Sequence, residues 1–334
     1  MSTDVTTDPA GAARPPAATP LLDLRDVHVE YGRRGARVRA VDGVDLTVAS
    51  GEIVGLVGES GCGKSSLGRA AVGLEPLAGG TVTFLGEPVH ALRRGRRTAT
   101  LRRLQMVFQD PYASLNPRRT IGDLVADGVL LGGGSRVEAR RRAVALVERV
   151  GLPASAVGAY PHEFSGGQRQ RIAIARTLAT DPSCIIADEP ISALDASAQA
   201  TVANLLSDLV RETGIGLLLI SHDLSVVRQV ADRVAVMYLG RVVEIGSTAR
   251  VWAAPQHPYT EALVAAIPRP DGAGRLPQDL PGDVPDPADP PSGCRFHPRC
   301  PIAEERCRTT DPGLEEVAGR EAACLVRAPA RTLS

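Results

Sequence analysis

Between Leu21 and Gly246, short apolar runs rich in β-branched residues alternate with stretches whose apolar positions recur at helical spacing. That alternation predicts an α/β domain built on a largely parallel sheet, with helices as the connections. The runs Ile53–Val57, Cys184–Ala187 and Gly216–Ser221 are apolar almost without a break, as strands buried on both faces must be. Val137–Val150 and Gly166–Ala179 show the period of helices. Beyond about Ser247 the pattern changes, and Pro268–Pro291, crowded with Pro, Asp and Gly, reads as a linker or extended loop. Met1–Pro20, rich in Ala, Pro and Thr, reads as a disordered tail. No internal repeat is visible.

Composition narrows the classes of function. The chain has 334 residues, 43% hydrophobic and 23% charged, ordinary for a globular protein and long enough for one large α/β domain with an appendage or for two modest domains. Basic and acidic residues balance at 38 each, so no global field favours nucleic acid or anionic lipid. The arginine clusters at Arg93–Arg97 and Arg140–Arg142 read as solvated faces. No apolar run approaches the roughly 20 residues that span a bilayer. The N-terminus lacks the charged and apolar regions of a secretory signal, so a cytoplasmic location is expected, with any membrane role coming through partners. One detail goes further: Lys64 is the only lysine, every other basic residue being Arg. A compact, mobile ammonium is kept at one place where a planar guanidinium would not serve.

That place is Gly58-Glu59-Ser60-Gly61-Cys62-Gly63-Lys64-Ser65, a full match to the phosphate-loop pattern, directly after an expected strand and opening an expected helix. Glycines let backbone N–H groups turn inward around phosphate oxygens, and the helix N-terminus adds favourable partial charge. Lys64 is expected to reach the β- and γ-phosphates of ATP and the Ser65 hydroxyl to ligate Mg²⁺, with Ser66 beside it. Cys62 reads as a small loop residue in a position open to thiol reagents. A second element is the strand Cys184–Ala187 ending in Asp188-Glu189. An acidic residue at the carboxyl end of such a strand holds Mg²⁺, and the next carboxylate, Glu189, can act as general base on the attacking water. Between the two lies Phe164-Ser165-Gly166-Gly167-Gln168, a second anion-binding helix start, leading to Arg169 and Arg171. Two phosphate-gripping termini that hold one nucleotide from opposite sides come from different subunits, or from a chain folded tightly on itself.

The phosphate loop, Gln109, Ser165–Gln168, Asp188-Glu189, Ser192-Ala193-Leu194-Asp195 and Ser221-His222-Asp223 occur in an order that resembles the ATP-binding cassette (ABC) ATPases. The resemblance covers essentially all of Leu21–Gly246, with Phe164 a mild variation on the commoner Leu. It implies a RecA-like core with a β-subdomain and a helical signature subdomain over about 112–178, within a nucleotide-binding domain over 21–250. It also implies a head-to-tail dimer in which each ATP lies between one subunit's phosphate loop and the other's Ser165–Gln168. By that resemblance Gln109 contacts Mg²⁺ and the water and senses the membrane partner. Asp195 communicates across the dimer, His222 contacts the γ-phosphate, and Tyr31 is the candidate to stack on adenine. The alternative for Tyr31 is a strand-end tyrosine packed on the core. His90 and His162 read as surface or packing residues.

Val107–Pro117 looks like the Gln-loop region of dipeptide and oligopeptide importers, and Tyr160–Arg171 is similar to the second ATPase of such systems. His257-Pro258-Tyr259-Thr260 resembles their C-terminal extension, here 251–334. The resemblance implies an ATP-hydrolysing subunit for peptide uptake at the cytoplasmic face of the membrane. The expected partners are a second, distinct ABC ATPase (a heterodimer), two membrane permease subunits and an extracytoplasmic solute-binding protein, with no nucleic acid. The extension carries Cys294, Cys300, Cys307 and Cys324. A disulfide framework does not suit a cytosolic chain, and the spacing lacks zinc knuckles. An iron–sulfur cluster, [4Fe–4S], fits four thiolates among prolines, and the resemblance points the same way; zinc and unliganded thiols stay open, and His297 could replace one Cys. The alternative class is a soluble ABC ATPase acting on nucleic acid or ribosomes. A small-molecule kinase leaves Ser165–Gln168 unexplained.

Overall fold

The computed structural model describes residues 19–33, 36–92, 97–267 and 282–328. The expected tail, but for its last two residues, lies outside them, as do Arg93–Arg96 and positions 268–281 of the proline-rich stretch.

Two sheets form the frame. The long strands β1 (Leu22–Arg33) and β2 (Ala36–Val48) pair antiparallel. With β4 (Gly79–Phe84) and β5 (Glu87–Pro88) they make a four-stranded layer in the order β2-β1-β4-β5. The larger sheet is centred on β3 (Ile53–Val57), β6 (Leu104–Val107), β7 (Cys184–Asp188), β8 (Gly216–Ser221) and β9 (Arg233–Tyr238). These five run parallel in the order β9-β3-β8-β7-β6. Every residue of β3, β7 and β8 is buried, and alternate side chains enter two different cores. Ile185, Ala187, Leu217 and Leu219 face the core shared with the helices. Cys184, Ile186, Leu218 and Ile220 face the core shared with β1, β2 and α1 (Lys64–Ala71). Covering on both faces is why the sequence shows continuous apolar runs here instead of alternation.

The parallel character stops at one edge. β10 (Arg241–Ser247) pairs antiparallel with β9, and β12 (Arg320–Ala322) with β10 and with β11 (Glu315–Val317). The expectation of a largely parallel sheet therefore holds for the five central strands, while the antiparallel edge comes from the last part of the chain.

Between β6 and β7 the chain forms α2 (Pro111–Ser114), α3 (Ile121–Leu131), α4 (Arg136–Arg149) and α5 (Gly166–Leu178), which pack on one another. Thr120, Ser135 and Ser165 each cap a helix by accepting an N–H from the third residue onward. The helical spacing over 137–150 and 166–179 is realised as α4 and α5. Helices α6 (Ala196–Thr213) and α7 (Leu224–Val230) follow β7 and β8. Gly55 in β3 lets α7 come close: a Cβ there would lie 2.3 Å from Val227 Cγ1.

The last segment supplies α8 (Thr248–Ala253), α9 (Pro258–Ala265) and α10 (Arg306–Thr309). It is held to the sheet by the fully buried Glu244 of β10, whose carboxylate accepts the N–H groups of Gln256 (2.9 Å) and His257 (2.8 Å). Arg320 of β12 lies 3.9 Å from the same carboxylate. Among the described residues no helix is long and apolar enough to cross a membrane.

Candidate active site

The phosphate loop leaves the carboxyl end of β3 and enters α1, as its pattern demands. Gly63 has φ +104°, and a Cβ on it would lie 1.9 Å from Ala40 O, so only glycine fits. Lys64 is buried, 4% exposed, with Nζ donating to the carbonyls of Gly58 (2.8 Å) and Glu59 (2.9 Å). The loop thus curls around its own ammonium. Cys62 is buried too, and its thiol is pushed up by burial against the opposing pull of Lys64. This corrects the expectation of a reagent-accessible thiol at Cys62; a buried, protonated thiol is a poor nucleophile.

Ser65 Oγ donates to Asp188 Oδ1 at 2.7 Å. Asp188, 1% exposed at the end of β7, has its pKa raised by burial, partly offset by the Ser65 hydrogen bond. A hydroxyl and a carboxylate in contact are the hard oxygen donors suited to Mg²⁺. Tyr31 OH donates to Ser66 Oγ at 3.1 Å, which places the tyrosine beside the start of α1.

Glu189 follows at φ +45°, a left-handed backbone costing an ordinary residue roughly 1–2 kcal/mol. Its N–H is tied to Ile220 O of β8 at 3.0 Å. Its Oε2 receives Gln109 Nε2 at 3.1 Å and lies 3.2 Å from His222 Nδ1. Three residues from the ends of β6, β7 and β8 therefore meet on one carboxylate oxygen. Gln109 engages Glu189 rather than the Ser65–Asp188 pair to which the sequence assigned its metal contact.

Ser165 is exposed at the N-terminus of α5 and forms a reciprocal cap with Gln168: Ser165 Oγ accepts Gln168 N–H at 3.4 Å and Gln168 Oε1 accepts Ser165 N–H at 2.9 Å. Gly166 and Gly167 complete that first turn. Its helix packs on α2, α3, α4, α6 and β6, while α1 packs on β1, β2, β7 and β8. The two helix starts expected to bind phosphate belong to helices that pack on different elements of the chain. Asp195, also exposed, caps α6 by accepting Ala198 N–H at 2.9 Å.

Sequence reasoning missed two residues at this site. Tyr259 of α9 accepts the Glu59 N–H at 2.8 Å, and Arg299 grips the Glu59 carboxylate. Nothing in local spacing links positions 200 or 240 residues apart; the one signal was the His257-Pro258-Tyr259-Thr260 stretch, read for its family resemblance and not for a contact with the loop.

The four C-terminal cysteines are free. Cys294 N–H donates to Cys307 O at 2.9 Å. Burial, then the other three cysteines, push the Cys294 thiol up to about 11, and Cys300 is raised by burial, then by Cys324 and Cys307. His297 Nδ1 lies 3.0 Å from Cys294 O. Among the described residues no group of three or more His, Cys, Asp or Glu side chains is placed to hold a metal ion, so the geometry lends support neither to zinc nor to an iron–sulfur cluster.

Fold and site together define an ATP-binding cassette ATPase. Residues 41–192 match the ABC transporter family, and residues 243–307 match the C-terminal region of oligopeptide/dipeptide transporters. A Brucella ovis protein provisionally named a peptide import ATP-binding protein is 49% identical over 310 residues, 92% of this chain and 98% of its own. The oligopeptide transport ATP-binding protein OppF of Escherichia coli K12 is 46% identical over 319 residues, 91% and 96% of the two chains. A dimeric structure of the cassette MJ0796 in a post-hydrolysis state, bound to ADP and Pi, superposes with TM-score 0.62 at 29% identity, over 68% of this chain and 98% of that one. This chain belongs to the ABC transporter ATP-binding proteins of the oligopeptide/dipeptide type, and its activity is ATP hydrolysis coupled to transport.

Proposed function

We propose that this chain drives peptide uptake through separate permease subunits at the cytoplasmic face of the membrane, paired with a second cassette ATPase and supplied by an extracytoplasmic solute-binding protein. One observation supports this above the rest: Ser165 is exposed, and the helix it opens packs on other elements than the helix of the chain's own phosphate loop, as expected if a second cassette completes each nucleotide site. The C-terminal match supports the peptide class, as do relatives named for peptide import and oligopeptide transport.

In this reading Gly58–Ser66 cradle the phosphates, Lys64 leaves its carbonyl partners for the β- and γ-phosphates, and Tyr31 stacks on adenine. Ser65 and Asp188 would hold Mg²⁺, with Gln109 joining them, and bound there it would supply neutralisation of the developing phosphate charge. Glu189 takes the proton of the attacking water, while His222 and Gln109 orient its carboxylate. The partner's Ser165–Gln168 turn directs N–H dipoles at the γ-phosphate, and Asp195 lies at the same face.

The four cysteines belong to the same proposal as ligands of a [4Fe–4S] cluster. In support, all four are free thiols carried by one C-terminal segment among prolines. Anaerobic purification should give about four iron and four sulfide per chain; an iron-free protein with intact ATPase would leave them as plain thiols.

Mild-detergent purification from native membranes, with mass spectrometry, tests the assembly. Two multi-spanning chains, a second cassette and a solute-binding protein are the expected companions. Ribosomal or DNA-repair proteins with no membrane chain would overturn the transport reading.

A further inference from the structure

Glu59 is an anion set inside the loop that must receive a triphosphate, next to Gly58 and five positions before Lys64. Uncompensated, its carboxylate would repel the incoming phosphates, and the repulsion would be strong in so confined a place. The C-terminal segment answers that charge. Arg299 holds both carboxylate oxygens, Nη1 to Oε2 at 2.8 Å and Nη2 to Oε1 at 3.1 Å. The pair is secluded, with side-chain exposure of 4% for Arg299 and 21% for Glu59. A two-point guanidinium–carboxylate pair of this kind fixes direction as well as charge.

A second hold acts on the backbone. The Glu59 N–H donates to the Tyr259 hydroxyl at 2.8 Å. Tyr259 is fully buried and sits against Tyr238 and Phe296, ring centroids 4.6 and 5.4 Å away. The Arg299 guanidinium carbon lies 5.9 Å from the ring centroids of both Tyr238 and Phe296. One aromatic cluster therefore seats both residues that touch Glu59, and its members come from β9, α9 and the turn between Cys294 and Cys300.

We propose that Arg299 and Tyr259 are positioning residues for nucleotide binding: they fix the Glu59 backbone and cancel its charge, so that the C-terminal segment sets the affinity of the phosphate loop for ATP. This rests on the reading of Gly58–Ser65 as the ATP site. Neither residue touches the reacting atoms, so their effect belongs in binding and not in the chemical step.

The test uses the full chain and ATP itself, with titration calorimetry for affinity and steady-state hydrolysis for kcat and KM. Arg299→Ala should weaken ATP binding about tenfold, the size of one net charge-assisted hydrogen bond, with kcat changed less than KM. The loss should shrink as salt rises. The discriminating variant is the double change Glu59→Gln with Arg299→Ala: removing the orphaned charge should return affinity to within about threefold of wild type. A plain loss of folding would not be repaired that way. Tyr259→Phe should weaken binding in the same direction. Arg327→Ala, which removes an ion pair with Glu261 in the same segment, serves as the control and should leave affinity unchanged. The inference is overturned if Arg299→Ala binds ATP like wild type, if the double variant stays as weak as the single, or if Arg327→Ala is equally weak. If wild type itself binds no ATP, the reading of the phosphate loop fails instead.

Discussion

At the scale of single residues, the site is arranged around two charges that the fold places and then restrains. Lys64 is kept by two loop carbonyls, and Glu189 by a glutamine, a histidine and a strained backbone. Glu189→Gln should bind ATP with near-normal affinity yet turn over at least about a hundredfold more slowly, as loss of a general base requires. Near-normal phosphate release by that variant would reject the role. Lys64→Ala should lose measurable nucleotide affinity, and the Gly58 and Glu59 carbonyls would lose their donor as well. These residues were legible in the sequence because their chemistry depends on spacing: glycine, lysine and serine in one loop, two carboxylates ending one strand. Glu59 shows the limit. Its place in the loop was evident, but its partners Tyr259 and Arg299 reach it only through tertiary folding. The strain at Glu189 was equally silent, since any residue type leaves φ unstated.

Secondary-structure elements carry the site by their ends. Gln109, Glu189 and His222 follow β6, β7 and β8, so a parallel sheet brings three distant positions onto one oxygen. Ser165→Ala would remove one half of the cap on α5, at a cost of about 1 kcal/mol in thermal unfolding. Hydrolysis by the assembled dimer should fall much further while ATP affinity of the isolated chain is kept; an unchanged dimer rate would detach this turn from catalysis. Helix α9 offers a pH prediction. His257 is fully buried, caps the helix by accepting Tyr259 N–H at 3.1 Å, and is pushed down to about 3 by burial, with Arg327 adding to it. A folded-state value below the unfolded one means the neutral form is favoured in the native protein. The stability this represents is present above about pH 6.5 and is lost as pH falls towards 3. His257→Asn keeps an acceptor without a titrating ring, so its melting temperature should fall less steeply over that range, as read by circular dichroism. The central strands were legible because both faces are covered, which removes polar positions. β11 and β12 were not: three residues each, with mixed polarity, carry no periodicity, and only the pairing of β12 with β10 and of β11 with β12 makes them strands.

Over the whole molecule, the end of the chain returns to the middle of the fold. Composition marked the change after Ser247, yet composition cannot show that β12 joins the sheet or that Arg299 reaches the phosphate loop. The helix opened by the phosphate loop and the helix opened by Ser165 pack on different elements, and the proposed pairing of cassettes joins the one to the other across two chains. Ser165→Arg should therefore abolish ATP-dependent association of Glu189→Gln chains, or of such a chain with its cassette partner, in light scattering. Persisting association would remove this turn from the interface.

One feature of composition turns into an experimental handle. Because Lys64 is the only lysine, an amine-acylating reagent has a single side chain to modify, apart from the α-amino terminus, and that side chain lies in the nucleotide cradle. Lys64 is buried and bonded to two loop carbonyls, so its acylation, read as one mass increment on one peptide, reports how often the loop opens, with no tag or engineered probe.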